Sequence, residues 1–73
     1  MVFSKLSMNR RLKAIEQRMI ARGVYPAKVE YDIVRNIIKV WEDKHYYMEF
    51  DPVNCSDDAI AAFMVWHMSG KGY

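Results

Sequence analysis

Few side chains in this sequence have the type and spacing that catalysis or metal binding requires. The thiol and imidazole groups belong to Cys55, His45 and His67, and their spacing matches no zinc site. The three glycines all fall at the expected ends of helices, so there is no glycine-rich phosphate loop. The acidic residues form no recognisable constellation with a nucleophile and a base. We therefore predict a protein that is not an enzyme and that uses no metal or cofactor.

Arginine and aromatic side chains are the groups with which this chain could bind a partner. Three arginines lie along one flank of the apolar stripe of a predicted first helix, where they either bind phosphate or carboxylate groups or form a solvated face that covers the core edge. A tryptophan and a tyrosine exposed side by side have the composition of an interface hot spot. The predicted partner-binding residues are Arg11, Arg18, Arg22, Trp41, Tyr47 and Trp66.

The segment from Val29 to Asp51, VEYDIVRNIIKVWEDKHYYMEFD, decides the fold class. As a helix it would have an apolar stripe at i, i+3, i+7 and i+10. As strands it is rich in β-branched and aromatic residues. A two-residue turn at 35–36 and a three-residue turn at 43–45 would place Lys39 opposite Asp32 on one side and Glu49 on the other. Because a helix gives no reason for this pairing, we predict a three-stranded antiparallel meander.

The predicted register gives the sheet two different faces. Ile33 pairs with Ile38, and one face becomes apolar while the other carries the charged ladder with Trp41 and Tyr47 beside it. If both helices cover the apolar face, these two rings lie in water; if one helix covers each face, Trp41 belongs to the core. The residues predicted on the apolar face are Tyr31, Ile33, Ile38, Val40, Met48 and Phe50.

Helices flank the predicted sheet on both sides in the sequence. The first is expected to follow an N-cap at Ser7 and to end with Gly23 in the C′ position. The second is expected to follow an N-cap at Ser56 and to end at Gly70. The fold class is therefore α+β, with an N-terminal helix, a three-stranded antiparallel meander and a C-terminal helix. We expect one domain over residues 1–73, with residues 1–6 and 71–73 flexible.

The second predicted helix is apolar nearly all the way round. One face would carry Ile60, Phe63, Met64 and His67, whereas Val65 and Trp66 lie on the other. Such a helix must be covered on both sides, and a chain of 73 residues has a limited core with which to cover it. We therefore expect either a homodimer or a protein partner at the Trp66 side.

Charge is distributed unevenly along the chain. Residues 1–28 carry seven basic residues against one acidic residue, a formal charge of +6, and residues 29–58 carry three against eight, a charge of −5. Such a dipolar surface can orient the encounter with a charged partner, although the two halves could equally compensate each other within one fold. The single cysteine, and the absence of an apolar signal or of an apolar run of about 20 residues, predict a cytoplasmic protein without a membrane anchor.

In size and overall character, the whole chain resembles the small regulators that phages direct against host machinery, in particular the RNA-polymerase-binding transcription regulators of Xanthomonas-infecting phages. The resemblance implies a protein of the host cytoplasm that binds the bacterial polymerase core, displaces the σ factor from promoters and suppresses termination. No short motif carries it, so it assigns no binding residue. Two alternatives remain open: a nucleic-acid-binding module that uses the basic first helix, and an anti-defence protein that binds another host protein.

Overall fold

One helix precedes and one helix follows a three-stranded sheet. The computed structural model describes residues 4–70. The elements are α1 (Lys5–Ile20), β1 (Lys28–Asp32), β2 (Ile37–Trp41), β3 (Tyr47–Phe50) and α2 (Asp57–Gly70). The strands form one antiparallel sheet in the order β1-β2-β3, which confirms the predicted α+β fold. Residues 1–3 and 71–73, which belong to the segments expected to be flexible, lie outside the described part of the chain.

Helix α1 begins three residues earlier than the sequence suggested. Ser4 is in an extended conformation, with φ −65° and ψ 152°, and its Oγ accepts a hydrogen bond of 3.1 Å from the N–H of Ser7. The prediction of Ser7 as N-cap was therefore wrong, because a second serine with the same capping chemistry lies one turn upstream. Lys5 and Leu6, predicted to be part of a flexible lead-in, are helical.

The C-terminus of α1 has the predicted Schellman geometry. The N–H of Gly23 donates to the carbonyl of Ile20 over 2.8 Å, and the N–H of Val24 donates to the carbonyl of Met19 over 3.1 Å. Gly23 has a φ of 80°, a left-handed conformation that costs glycine little because it has no Cβ. The helix therefore ends where its last carbonyls find other partners.

The first hairpin has a different register from the predicted one. Tyr31 pairs with Ile38 rather than with Val40, so the loop contains four residues, 33–36, instead of two. Asp32 explains the longer loop, because its Oδ1 accepts hydrogen bonds from the N–H groups of Val34 and Arg35 at 3.1 and 3.2 Å. Such Asx-type contacts stabilise a turn directly after the aspartate.

A shift of two residues leaves the faces of the strand unchanged, since the side-chain period is two. Ile33, however, leaves the sheet and is exposed, and Val29 replaces it on the apolar face, opposite Val40. The loop closes at Asn36, which adopts the positive φ of 54° and accepts a hydrogen bond from the Tyr31 hydroxyl. The predicted position of Ile33 on the apolar face was therefore wrong.

The second hairpin has the predicted register. Lys39 pairs with Glu49, Val40 with Met48 and Trp41 with Tyr47. The side chain of Asp43 closes its three-residue turn. The Oδ1 of Asp43 accepts hydrogen bonds from the backbone N–H groups of His45, at 2.7 Å, and Tyr46, at 3.0 Å. An aspartate at the start of the turn thus replaces the glycine that short hairpins prefer.

Both helices pack on the apolar face of the sheet. Their buried side chains form one cluster with two residues of the central strand, and its members are Met8, Ile15, Met19, Ile38, Val40, Ile60, Ala61 and Met64. Because side chains alternate along a strand, Lys39 and Trp41 face away from this cluster. Among the described residues, therefore, no helix covers the second face, and Trp41 is not part of the core.

Helix α2 is rotated relative to its predicted orientation. Its N-cap is Ser56, as predicted, since the Oγ accepts a hydrogen bond of 3.1 Å from the N–H of Ala59. Ile60, Ala61 and Met64 are buried, and Val65 packs against the core, so the placement of Val65 on the outer side was wrong. The helix also continues through Gly70, which was expected to end it.

Candidate protein interface

The sheet face turned away from the helices, which we call the outer face, carries two aromatic rings among charged side chains. Its residues are Lys28, Glu30, Asp32, Ile37, Lys39, Trp41, Tyr47 and Glu49. Tyr47 is 38% exposed, and Trp41 is half-buried. The outer face is thus the place where the predicted pair of aromatic anchors meets solvent.

The rings of Trp41 and Tyr47 are held in place from several sides. Their centroids lie 4.5 Å apart with an interplanar angle of 46°. The Nζ of Lys28 lies 5.3 Å from the Trp41 ring, and the Nζ of Lys39 lies 5.0 Å from the Tyr47 ring. The indole N–H donates a hydrogen bond of 2.6 Å to Glu30 Oε1. Because these contacts exist before any partner arrives, binding would immobilise little additional side-chain motion.

The charged groups at the other end of the outer face are paired with one another. The guanidinium of Arg35 contacts both Asp32, at 3.2 Å, and Glu49, and the Nζ of Lys39 lies 3.8 Å from Asp32. Hydrogen bonds from the backbone N–H and then the guanidinium of Arg35 lower the pKa of Asp32, although partial burial acts in the opposite direction. Hydrogen bonds to Glu49 and Asp32 raise the pKa of Arg35.

The pairing of Lys39 differs in part from the prediction. Glu49 lies directly across from it on β3, as expected, but on β1 its direct neighbour is Glu30. Asp32 lies diagonally across and is still within 3.8 Å. The predicted contact between Lys39 and Asp32 therefore exists, through a diagonal rather than a direct pair.

A shallow recess of about 300 Å³ opens beside Trp41. It is lined by Ala27, Lys28, Trp41, Asp43 and Lys44. A larger recess of about 420 Å³ at the opposite end of the sheet is lined partly by Arg35 and Glu49, whose charges already pair with each other. The recess beside Trp41 thus joins a ring of the aromatic pair to side chains of both charges.

The arginines of α1 do not lie beside the aromatic pair. The guanidinium of Arg11 donates hydrogen bonds to Asp57 Oδ1 at 2.7 Å and to the carbonyls of Pro52 and Cys55 at 2.6 and 2.8 Å. Its side chain is only 18% exposed, so it ties α1 to the loop that leads into α2. Arg18 pairs with Asp58.

Arg22 is exposed near the end of α1. Since α1 packs on the apolar face, Arg11 and Arg18 lie on the opposite side of the sheet from Trp41 and Tyr47. The predicted binding residues therefore do not form one continuous site.

Trp66 occupies a third location, on the solvent side of α2. It is 68% exposed, and its ring centroid lies 5.7 Å from that of Phe63. Phe63 in turn stacks on His67, whose Nε2 lies 3.2 Å from Glu42 Oε2. Trp66 is thus the outermost ring of an aromatic cluster, which Phe63 connects to Phe50 of the sheet.

Sequence reasoning placed Glu30 near the aromatic pair but missed Lys28. Lys28 lies directly across from Trp41 in the observed register, and Glu30 accepts the indole hydrogen bond. The predicted two-residue turn would have paired Glu30 directly with Trp41 but placed Lys28 two residues further along, opposite Asp43. The signal that could have identified Lys28 was Asp32, whose side chain favours a longer loop.

Comparison with known proteins found no family model, curated protein or solved structure that matches this chain. Within residues 4–70, no group of three or more histidine, cysteine or acidic side chains could hold a metal ion. In the same range, neither helix combines the length and hydrophobicity that crossing a membrane requires. The best-supported candidate site is therefore defined by the geometry of the outer face alone.

Proposed function

We propose that this chain is a non-enzymatic regulator that binds a bacterial protein assembly through its outer face. The partner we propose is RNA polymerase, with inhibition of σ-dependent initiation and suppression of termination as the result. The observation that carries the binding proposal is the ring pair of Trp41 and Tyr47, pre-arranged on a sheet face that the described helices leave uncovered. The choice of polymerase is motivated by the resemblance to small phage regulators.

The outer face suits a protein better than a nucleic acid. Acidic groups accompany the two lysines beside the rings, since Glu30 contacts both Lys28 and the indole and Glu49 lies directly across from Lys39. They would repel the phosphates of a nucleic acid, whose affinity for proteins depends on neutralising those charges. A protein surface that presents both charge signs around an apolar centre could instead exchange ion pairs with this rim.

The arginines of α1 support the same choice. Arg11 and Arg18 each contact an aspartate at the start of α2, which neutralises part of the basic stripe. The first third of the chain nevertheless keeps a formal charge of +6. We infer that Arg18 and Arg22 act on the rate of association through long-range steering, an effect that falls as salt rises.

The experiment is retention of purified bacterial RNA polymerase core on the immobilised protein, with promoter transcription measured in parallel. We expect retention and a change in σ-dependent and terminated transcripts. Absence of both at excess protein would remove polymerase as the partner. A filter-binding assay with single- and double-stranded DNA and RNA distinguishes the alternative, because a nucleic-acid-binding module would bind without protein and weaken steeply with salt.

A further inference from the structure

The solvent side of α2 is an almost uncharged surface. We define the α2 face by the exposed residues of this helix, which are Asp58, Ala59, Ala62, Phe63, Trp66 and Ser69. Asp58, at one end, is the only charged member, and it already pairs with Arg18 of the same chain. Between Ala59 and Ser69 the α2 face therefore presents only alanine, aromatic and hydroxyl groups.

The pattern of charge identifies a second copy of this chain as the occupant. A two-fold contact places the same surface on both partners, so each charged patch meets an identical patch. If the outer faces formed such a contact, their network of paired charges would lose its solvation. If the α1 helices formed it, their excess basic side chains would repel one another. The α2 face can meet itself without this cost.

The sizes of its side chains also make the α2 face complementary to itself. Large rings, Phe63 and Trp66, lie toward its C-terminal half, whereas Ala59 and Ala62 are small residues toward its N-terminal half. When two such helices pack in opposite directions, the large half of one meets the small half of the other. Antiparallel packing also brings opposite ends of the two helix dipoles together.

We propose that two copies of this chain pack α2 against α2, antiparallel, about a two-fold axis that passes between Ala62 and Phe63. In this register Trp66 of each copy lies over Ala59 of the other, and Phe63 lies over Ala62. The outer faces then point away from the contact on both copies. The dimer is independent of the proposed polymerase binding, and either can fail without the other.

The first test is sedimentation equilibrium of the full chain from about 10 µM to about 1 mM, a range suited to a small interface. We expect a concentration-dependent dimer for the wild type and at least tenfold weaker association for Trp66→Ala, because truncation of a central aromatic anchor is costly. Val34→Ala, which removes another exposed apolar side chain (91% exposed) in the loop between β1 and β2, should dimerise like the wild type. A monomer throughout the range, or equal association of both variants, would overturn the proposal.

The second test measures the register by disulfide cross-linking between copies in a Cys55→Ser background. With a rise of 1.5 Å per residue, two copies of residue 62 are offset by about 1.5 Å along the helix axis, whereas two copies of residue 59 are offset by about 10 Å. Ala62→Cys should therefore cross-link under mild oxidation, and Ala59→Cys, on the same face, should not. Efficient cross-linking of both would indicate a parallel arrangement, and cross-linking of neither would exclude this axis.

Discussion

Replacement of Arg11 by alanine should destabilise the fold, although the sequence suggested that this residue binds a partner. Its guanidinium makes three hydrogen bonds, to a carboxylate of Asp57 and to the carbonyls of Pro52 and Cys55. These contacts connect residues 41 to 46 positions apart in the chain. The Arg11→Ala variant loses all three of these connections between α1 and the segment from β3 to α2.

The expected loss is about 2 kcal/mol. One hydrogen bond that involves a charged group contributes about 1.5–3 kcal/mol net. The three bonds do not add, because the freed side chain regains rotamer entropy and water can reach part of the loop. The side chains of Arg11 and Asp57 are 18% and 24% exposed, so solvent weakens their attraction only in part. For a domain of this size the loss corresponds to a decrease in Tm of roughly 8–16 °C.

Urea and thermal unfolding, followed by circular dichroism, measure this loss. Arg22→Ala is the matched control, since Arg22 is exposed in the turn directly after the same helix and its removal should change stability by no more than about 0.5 kcal/mol. Arg11→Lys should give an intermediate loss, because one ammonium group cannot reproduce the guanidinium fork. Equal stability of the two alanine variants would refute the structural role of Arg11.

Two further predictions concern local conformation and pH. The pKa of Asp32 is lowered in the folded state, so its ionisation stabilises the fold at pH values above the unfolded pKa of about 3.8. This stabilisation is lost as the pH falls through the lower folded pKa, and the difference in unfolding free energy between wild type and Asp32→Asn should shrink progressively below about pH 4. A difference that stays constant with pH would contradict this cause. Gly23→Ala should cost about 1 kcal/mol in urea unfolding because of the left-handed φ of 80° alone, since a Cβ would meet no atom within 4 Å; no loss would indicate that the helix end rearranges.

The sheet was predictable where pairing partners constrain it from both sides. In the second hairpin, opposite charges and apolar pairs agree on one register, and Asp43 closes the turn. The first hairpin has apolar residues on both sides of its turn, so registers that differ by two residues satisfy the same face pattern. The hydrogen bonds of Asp32 decide between them, and these depend on a side-chain conformation that periodicity does not encode.

The candidate site was predictable as a pair of rings but not as a surface. Alternation along β2 and β3 places Trp41 beside Tyr47, which depends only on the second hairpin. Whether the rings lie in water depends on which face the helices cover, and both helices have apolar stripes that could serve either face. The role of Arg11 was hidden for a similar reason: its three acceptors lie more than 40 residues away, and a helical wheel carries no information on distant partners.

The rotation of α2 has a packing cause. Ala61 is 1% exposed, and a small side chain in the interface allows α1 and α2 to approach closely. A hydropathy pattern ranks alanine below phenylalanine, so it favours Phe63 for the core. Phe63 is instead displaced to the rim, where its ring meets Phe50 at 5.6 Å with an interplanar angle of 73°.

The binding of RNA polymerase core to variants of the outer face tests the proposed function most directly. With the protein immobilised and polymerase in solution, Trp41→Ala and Tyr47→Ala should each increase the dissociation rate so that the affinity falls at least tenfold. Tyr46→Ala is the matched control, because Tyr46 is exposed, at 67%, but precedes β3 and lies outside the pair of rings. Circular dichroism of each variant must first show the folded state. Binding that depends on the two rings and not on Tyr46 is the predicted result, and polymerase binding that is unchanged in all three variants would contradict the proposed role of the outer face.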